Sequence, residues 1–172
     1  MLFGWTSRVL ASLLTVCLYI PLGTQTAPAV QQQDDATARL ASRLEGETIV
    51  ETAWELRHGL NPKPDCSHFV NAIYERAGVE YDYANSIALF EGIDGFQRVY
   101  RAQPGDIVVW QGHMGIVIDG DEHTFYSSVN KGFAIEDYRS HYWVGRGHPR
   151  FYRYVMDADH SERLLARREN LR

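Results

Sequence analysis

The sequence predicts an α+β fold in which helices come first and antiparallel strands follow. Residues 37–58 and residues 66–77 place apolar side chains at helical spacing, and residues 107–155 contain short β-rich runs separated by turn residues. Helices followed by a run of strands favour separate helical and sheet layers over alternating βαβ units. We therefore expect N-terminal helices packed on a small antiparallel sheet of about five strands.

Residues 1–29 have the pattern of an export signal. Arg8 precedes an apolar run from Val9 to Ile20, and the segment Ala27-Pro28-Ala29 offers small residues for cleavage. The run is shorter than the about 20 residues that a membrane span requires. We therefore expect cleavage, export to the periplasm or the cell exterior, and no stable membrane insertion, with an uncleaved anchor as the alternative.

Beyond this leader, one folded domain is expected. Residues 30–36 form a polar spacer, residues 37–155 contain the helical and β-rich segments, and residues 156–172 are strongly charged. Such a charged tail is typical of a solvated helix or of disorder. With 172 residues and 45% apolar side chains, the chain can form a single hydrophobic core, and we expect a monomer.

Charge and residue distribution exclude several classes of partner. The formal charge is −5 and no long basic run occurs, so no nucleic-acid partner is expected. The histidines are scattered and Cys66 is the only cysteine beyond the leader, so no zinc pattern and no cofactor are predicted. The acidic turn at Asp119, Asp121, Glu122 and His123 is interpreted as solvated, with a metal site as the less favoured alternative.

The elements around the informative segments follow from the same patterns. Residues 37–58 are expected to form one helix interrupted at Gly46 or two short helices, and residues 87–90 a helical turn. Outside the hairpin described below, strands are expected at residues 123–128, 132–137 and 150–155.

Cys66 stands where a polar loop runs into an apolar helix. Asp65 is a natural N-cap, residues 69–77 carry an apolar helical face, and Gly78 is a stop signal, so Cys66 falls in the first turn. Unpaired backbone N–H groups and the helix dipole favour a thiolate there and lower the pKa of the thiol. An unpaired cysteine in an exported protein favours a reactive thiol over the alternative, a small buried side chain closing a helix end.

A β-hairpin is the second informative segment. A β-rich run covers Ile107–Trp110, Gln111-Gly112 turns the chain, and a second run covers His113–Ile118. Because side chains alternate along a strand, His113 and Gly115 share one face. Gly115 therefore leaves room for another element to approach the His113 ring.

Together these segments resemble the NlpC-type cell-wall peptidases. Asp65-Cys66-Ser67-x-Phe69-Val70 is followed by Pro104-Gly105-Asp106-Ile107-Val108 and by Gly112-His113-Met114-Gly115-Ile116-Val117, and the likeness covers about residues 50–137. The family's strings have the form D-C-S-G-[LF]-V and G-D-[LIV]-x-x-[FW]…G-H-[VM]-G-I. Its members are papain-like cysteine enzymes that cut peptidoglycan stem peptides. The resemblance implies a papain-like fold in which the cysteine helix packs on a small antiparallel sheet that carries the histidine.

By this resemblance Cys66 is the nucleophile and His113 its base. A thiolate attacks an amide carbonyl, and the imidazole takes the thiol proton and later protonates the leaving amine. The helix N-terminus would supply oxyanion donors, including the Cys66 backbone N–H. The residues expected to line the oxyanion or substrate site are Ser67, Tyr81, Tyr83 and Trp110, with aromatic packing as the alternative for the two tyrosines.

Two departures from the family pattern lie around Cys66. His68 stands where the family has glycine, and an exposed helix residue is favoured over a second catalytic base. Residues 60–64 replace the family's P-Y-x-W-G-G string, which leaves the cleavage specificity open.

The third departure concerns the residue that orients the imidazole. The family usually has histidine there, and the corresponding position is Ser127. Tyr126, His123 and Asn130 are rivals, because a register shift of one residue reverses the direction of every side chain in a strand.

The sequence thus predicts an exported cysteine peptidase that hydrolyses amide bonds in peptidoglycan stem peptides. The alternatives are a CHAP-like N-acetylmuramoyl amidase and a non-catalytic domain that binds the cell wall or a partner. The aromatic and basic stretch from Tyr142 to Arg150 could hold substrate carboxylates. Ordinary salt bridges to the acidic excess are the favoured interpretation of that stretch.

Overall fold

The computed structural model describes residues 38–57, 59–60 and 62–171. Over these residues it contains five helices and a seven-stranded antiparallel sheet, so the predicted α+β fold is confirmed with two more strands than expected. The strands are β1 (Arg39–Leu40), β2 (Phe96–Val99), β3 (Ile107–Trp110), β4 (His113–Asp119), β5 (Thr124–Val129), β6 (Gly132–Asp137) and β7 (Arg150–Met156). The helices are α1 (Arg43–Leu56), α2 (Cys66–Ala77), α3 (Ser86–Glu91), α4 (His141–Gly145) and α5 (Ala158–Asn170).

The sheet runs in the order β1-β7-β3-β4-β5-β6, and β2 pairs with β7. All of these pairings are antiparallel. The sequence did not predict β1 and β2, which have two and four residues. β1 is too short to alternate, and β2 has two polar residues between Phe96 and Val99, so neither shows the alternation by which a half-buried strand is recognised.

Helix α1 begins with a capping box between Ser42 and Glu45 and continues without a break through Gly46. The predicted interruption at Gly46 is therefore wrong. A Cβ at this position would lie 1.9 Å from the Pro104 carbonyl oxygen. The glycine is needed for the close approach of α1 to the turn before β3, and it does not end the helix.

Helix α2 is held at both ends by the residues that the sequence indicated. The Asp65 carboxylate accepts the His68 backbone N–H at 2.9 Å, and Gly78 ends the helix at φ 85°. The apolar face of the helix is fully buried against the sheet and its neighbouring elements. It consists of Phe69, Val70, Ile73, Tyr74 and Ala77.

Two apolar clusters cover the two faces of the sheet. The larger contains the buried faces of α1 and α2 together with Leu164 of α5. The smaller lies on the other face and includes Trp110, Phe125 and Trp143, the last carried by α4. Because His113 contacts these three rings, the predicted base belongs to the second face of the sheet.

The charged segment after residue 156 forms α5, which packs on α1. Leu164 is fully buried, Ser161 donates to Glu45 at 2.8 Å, and Arg168 donates to the Leu44 carbonyl at 3.1 Å. Of the two expected alternatives, the structure has the helix, and most of its charged side chains are exposed. Its one buried side chain, Leu164, and the polar contacts to α1 join it to the rest of the domain.

The predicted leader at residues 1–29 and the spacer at residues 30–36 lie outside the described residues. Among the helices of the described part, none is long and apolar enough to cross a membrane.

Candidate active site

The thiol of Cys66 lies at the junction of α2 and β4. Cys66 is the first residue of α2, and its side chain is half-buried. The thiol interacts with the backbone N–H groups of Met114, Ser67 and Cys66 itself. Since Met114 follows His113 at the start of β4, this contact brings the thiol to the residue next to the predicted base.

Burial raises the pKa of the Cys66 thiol, and the negative charge of Asp65 raises it further. The backbone N–H groups of Met114, Ser67 and Cys66 lower the pKa but do not offset the burial. The expected lowering of this pKa is therefore wrong in direction. The helix start supplies donors, but the packing of α2 on the sheet removes the water that would solvate a thiolate.

His113 is the first residue of β4 and is only 9% exposed. Its Nε2 lies 2.8 Å from Ser127 Oγ, and the Ser127 hydroxyl also lies 2.8 Å from the Met114 carbonyl oxygen, to which it donates. A hydroxyl has one proton to give. We therefore assign the proton on the imidazole to Nε2, which donates to Ser127, so that Nδ1 of the neutral ring is free to accept a proton.

Gly115 allows β5 to approach closely enough for this bond. A Cβ on Gly115 would lie 2.6 Å from Phe125 Cδ2 and 3.0 Å from Ser127 Cβ. Of the four residues considered as orienter, Ser127 is the one that bonds to His113. Tyr126 packs on the opposite face against Phe69.

The other two rivals lie away from the ring. His123 sits in the turn before β5 at φ 60° and contacts Tyr138, and Asn130 is exposed in the turn between β5 and β6.

Burial lowers the pKa of His113 to about 4, and the positive charge of Arg146 contributes to the same shift. At neutral pH the ring is therefore uncharged, while the raised pKa of Cys66 keeps the thiol protonated. The resting pair is a neutral thiol beside a neutral imidazole. Proton transfer must then accompany the attack of the sulfur.

The sequence model of the NlpC/P60 family matches residues 53–148, more than half of the chain. The chain belongs to the NlpC/P60 family. This confirms the resemblance carried by the Cys66 and His113 strings. NlpC/P60 proteins are typically exported, cell-wall-associated cysteine peptidases that act on peptidoglycan. No curated protein matches the chain.

The chain immediately before Cys66 is hydrogen-bonded to β5. Lys63 Nζ donates to Ser128 Oγ at 3.0 Å and to the Val129 carbonyl at 2.8 Å. The Ser128 hydroxyl donates to the Pro64 carbonyl at 2.6 Å. The strand that carries Ser127 thus also holds Lys63 and Pro64, the two residues before Asp65 and Cys66.

His68, where the resemblance led us to expect glycine, belongs to a polar cluster beside Cys66. Its Nδ1 lies 2.9 Å from Asp65 Oδ2, and its ring stacks on Tyr83 at 4.5 Å. Ser67 Oγ donates to Asp65 Oδ1 at 2.8 Å and lies 3.0 Å from the Tyr83 hydroxyl. Burial raises the pKa of Asp65, but hydrogen bonds from His68 and Ser67 outweigh it and lower the pKa to about 2.

Two of the four residues expected at the substrate site are placed elsewhere. Trp110 is 1% exposed, and its Nε1 donates to the Gly147 carbonyl at 3.1 Å, so it is a core residue of the second face. The ring of Tyr81 packs edge-on against Phe96, and its hydroxyl is buried. Ser67 and Tyr83 remain beside Cys66, and Tyr83 is 49% exposed.

Sequence reasoning did not identify Trp143 and Arg146 as neighbours of His113. The Trp143 ring lies 4.7 Å from the His113 ring, and the Arg146 guanidinium lies 5.4 Å from the centre of the Trp143 ring. The sequence showed only an aromatic and basic stretch around these residues. Such a stretch does not indicate which side chains point inward or which residues they contact. Within that stretch Arg150 lies 3.9 Å from Glu91, whereas Arg146 contacts Trp143 and the Tyr142 hydroxyl.

In the part of the chain that the structure describes, no group of three or more His, Cys, Asp or Glu side chains is placed to hold a metal ion.

Proposed function

We propose that this NlpC/P60 protein is an exported cysteine peptidase that hydrolyses amide bonds in peptidoglycan stem peptides. One observation carries the proposal. The Cys66 thiol contacts the backbone N–H of Met114, and the adjacent His113 has its Nε2 engaged by Ser127. From these contacts we infer that Cys66 is the nucleophile, His113 the base and Ser127 the orienter of the base.

In the acylation step, the sulfur of Cys66 attacks the amide carbonyl carbon while His113 Nδ1 takes the thiol proton. The oxyanion accepts hydrogen bonds from backbone N–H groups at the start of α2, including that of Cys66. The imidazolium then gives its proton to the leaving amine, and a thioester to Cys66 remains. Water attacks this thioester with His113 as base, which releases the carboxylic acid and restores the thiol.

Ser127 contributes to this mechanism by orienting the His113 imidazole. Its oxygen accepts the Nε2 proton, which fixes the tautomer with Nδ1 free. Ser67 and Tyr83 are the proposed substrate contacts, since Ser67 follows Cys66 in the chain, its Oγ lies 3.0 Å from the Tyr83 hydroxyl, and Tyr83 is half-exposed. Residues 1–29 are proposed as the cleaved leader, residues 30–36 as a spacer and residues 37–155 as the catalytic domain. The α5 helix completes that domain, and a monomer is expected.

Zymography on peptidoglycan tests this function. Purified protein should clear the gel, and Cys66→Ala and His113→Ala should not, while both variants keep the circular dichroism spectrum of the native protein. Product masses then identify the bond, because peptidase cleavage shortens the stem peptide whereas amidase cleavage releases it whole. Equal clearing by Cys66→Ala would contradict the mechanism. Wall binding without cleavage would favour the non-catalytic alternative.

A further inference from the structure

We infer that Trp143 is a positioning residue for the His113 imidazole, an inference that rests on the proposed role of His113 as the base. The two rings lie 4.7 Å apart with their planes inclined by 30°. Trp143 is 2% exposed, whereas its neighbours Tyr142 and Val144 in α4 are 61% and 55% exposed. The short helix α4 therefore directs one aromatic side chain inward, onto the imidazole.

The indole is itself fixed by three strands of the sheet. Its Nε1 donates to Glu136 Oε2 of β6 at 3.0 Å. Its ring lies 4.6 Å from Trp110 of β3 and packs edge-on against Phe125 of β5 at 5.1 Å. A side chain held in this way can restrain a neighbouring ring, because it has no free rotamer to adopt when that ring moves.

The imidazole is held at Cβ by the chain and at Nε2 by the Ser127 hydroxyl. Neither of these contacts touches the face of the ring. The Trp143 ring against that face limits the tilt of the imidazole and so helps to fix the direction of Nδ1. The same ring keeps water from the bond between His113 and Ser127, which agrees with the 9% exposure of His113.

Trp143 also connects His113 to a charge. The Arg146 guanidinium lies 5.4 Å from the centre of the Trp143 ring, and its charge lowers the pKa of His113. Removal of the indole would both admit water to His113 and release Arg146. Both changes raise the pKa of the imidazole. The two effects can therefore be measured together as a shift of the His113 pKa.

The test replaces Trp143 and measures the His113 pKa and catalysis separately. The pKa is measured by NMR titration of the imidazole in the Cys66→Ala background, which requires no activity. In Trp143→Leu we expect it to rise from about 4 towards the ordinary value of about 6.5. In the Cys66 protein, kcat should fall roughly tenfold to a hundredfold with KM nearly unchanged, because the base is misdirected while binding is intact.

Three further variants keep the test decisive. Trp143→Phe retains a ring and should shift the pKa less, and it serves as the test variant if Trp143→Leu does not fold. Glu136→Gln retains an oxygen acceptor for the indole and should leave both quantities unchanged. Trp54→Leu removes a tryptophan that packs on Tyr126 at the other face, and it should lower stability without a shift of the His113 pKa.

A folded Trp143 variant that loses stability but keeps both the His113 pKa and kcat overturns the inference, as does a change in only one of the two. The inference and the proposed function fail in different ways. If the protein cleaves no peptidoglycan, the proposed function fails, whereas the inference fails at the NMR titration if the His113 pKa does not change in a folded Trp143 variant.

Discussion

The Ser127 hydroxyl lies 2.8 Å from His113 Nε2 and donates its proton to the Met114 carbonyl, so towards the imidazole it can only accept. The orienter is therefore a neutral acceptor that is itself fixed by the backbone of β4. It holds the imidazole in one tautomer, but it brings no negative charge to stabilise an imidazolium. Hydrogen bonds to charged partners are roughly twice as strong as neutral ones.

The first prediction is that Ser127→Ala lowers kcat roughly tenfold to a hundredfold, equivalent to about 1.4–2.8 kcal/mol. Removal of a charged orienter in a serine triad lowers the rate about 10⁴-fold. A neutral hydroxyl lacks the electrostatic field of a charged group, which accounts for much of that loss. Steady-state kinetics on a synthetic stem peptide measures the loss. Tyr126→Phe, His123→Ala and Asn130→Ala should each have a smaller effect, and a larger drop in any of them would assign the orienter to that residue instead.

The second prediction concerns the reactivity of Cys66. Because burial raises the pKa of the thiol, alkylation by iodoacetamide at pH 6 should be slower than that of a free-cysteine peptide, and it should accelerate as the pH rises. Without the leader, Cys66 is the only cysteine, so the label reports on this residue alone. The protein unfolded in urea is the control and should react like the peptide. Faster labelling of the native protein at pH 6 would show that a thiolate already exists in the resting site.

The direction of this pKa illustrates which properties of the site could be read from the sequence. Local signals encode two parts of the site. The Asp65 cap indicates that α2 starts at Cys66, and the alternation around Gly115 indicates the strand that begins at His113. Ser127 was selected through the family resemblance, since it stands at the position where the family usually has histidine, and the sequence left Tyr126, His123 and Asn130 as rivals. The depth to which packing buries Cys66 is a tertiary property, and it reverses the effect of the helix start.

Trp143 lay beyond sequence reasoning for a related reason. The helix that carries it has five residues and no repeating apolar face, so no periodicity distinguishes an inward Trp143 from the outward Tyr142 and Val144. The strand β1 was missed because it has two residues, and β2 was missed because its two adjacent polar residues break the alternation of a half-buried strand. Gly46 was misjudged because the residue that requires it, Pro104, is distant in the chain.

The third prediction concerns the pH dependence of catalysis. Attack requires a neutral imidazole, so the acid limb of kcat/KM should follow the pKa of His113 and lie at about pH 4 instead of about 6.5. The positive charge of Arg146 disfavours the protonated ring, and Arg146→Gln should therefore move the acid limb to higher pH. The shift should shrink as salt is added, because the guanidinium is exposed to screening.

Arg139→Gln is the matched control for this experiment. Arg139 is an exposed arginine in the turn after β6 and does not contribute to the pKa of His113. Its replacement changes the net charge equally and should leave the acid limb in place. Coincident acid limbs for the native protein and Arg146→Gln at low salt would show that Arg146 does not act on the base.

The last prediction concerns Gly115 of β4, which allows the strand that carries Ser127 to approach closely. An added Cβ would lie 2.7 Å from the Tyr126 carbonyl oxygen and 2.6 Å from Phe125 Cδ2, so β5 must move away. Overpacking of this kind typically costs about 1–3 kcal/mol, and we expect Gly115→Ala to lower the free energy of unfolding by that amount. Urea denaturation monitored by tryptophan fluorescence measures it.

The same displacement should reduce catalysis, because Ser127 Cβ would lie only 3.0 Å from the new methyl group and the bond to His113 would lengthen. We expect kcat of Gly115→Ala to fall at least as far as that of Ser127→Ala, since it removes the same contact and also disturbs the strand pairing. Gly145→Ala is the control, because a Cβ there meets no atom within 4 Å, and its stability should change by less than about 0.5 kcal/mol. If Gly115→Ala retains native stability and activity, β4 and β5 can separate without harm, and the proposed dependence of the base on Ser127 is wrong.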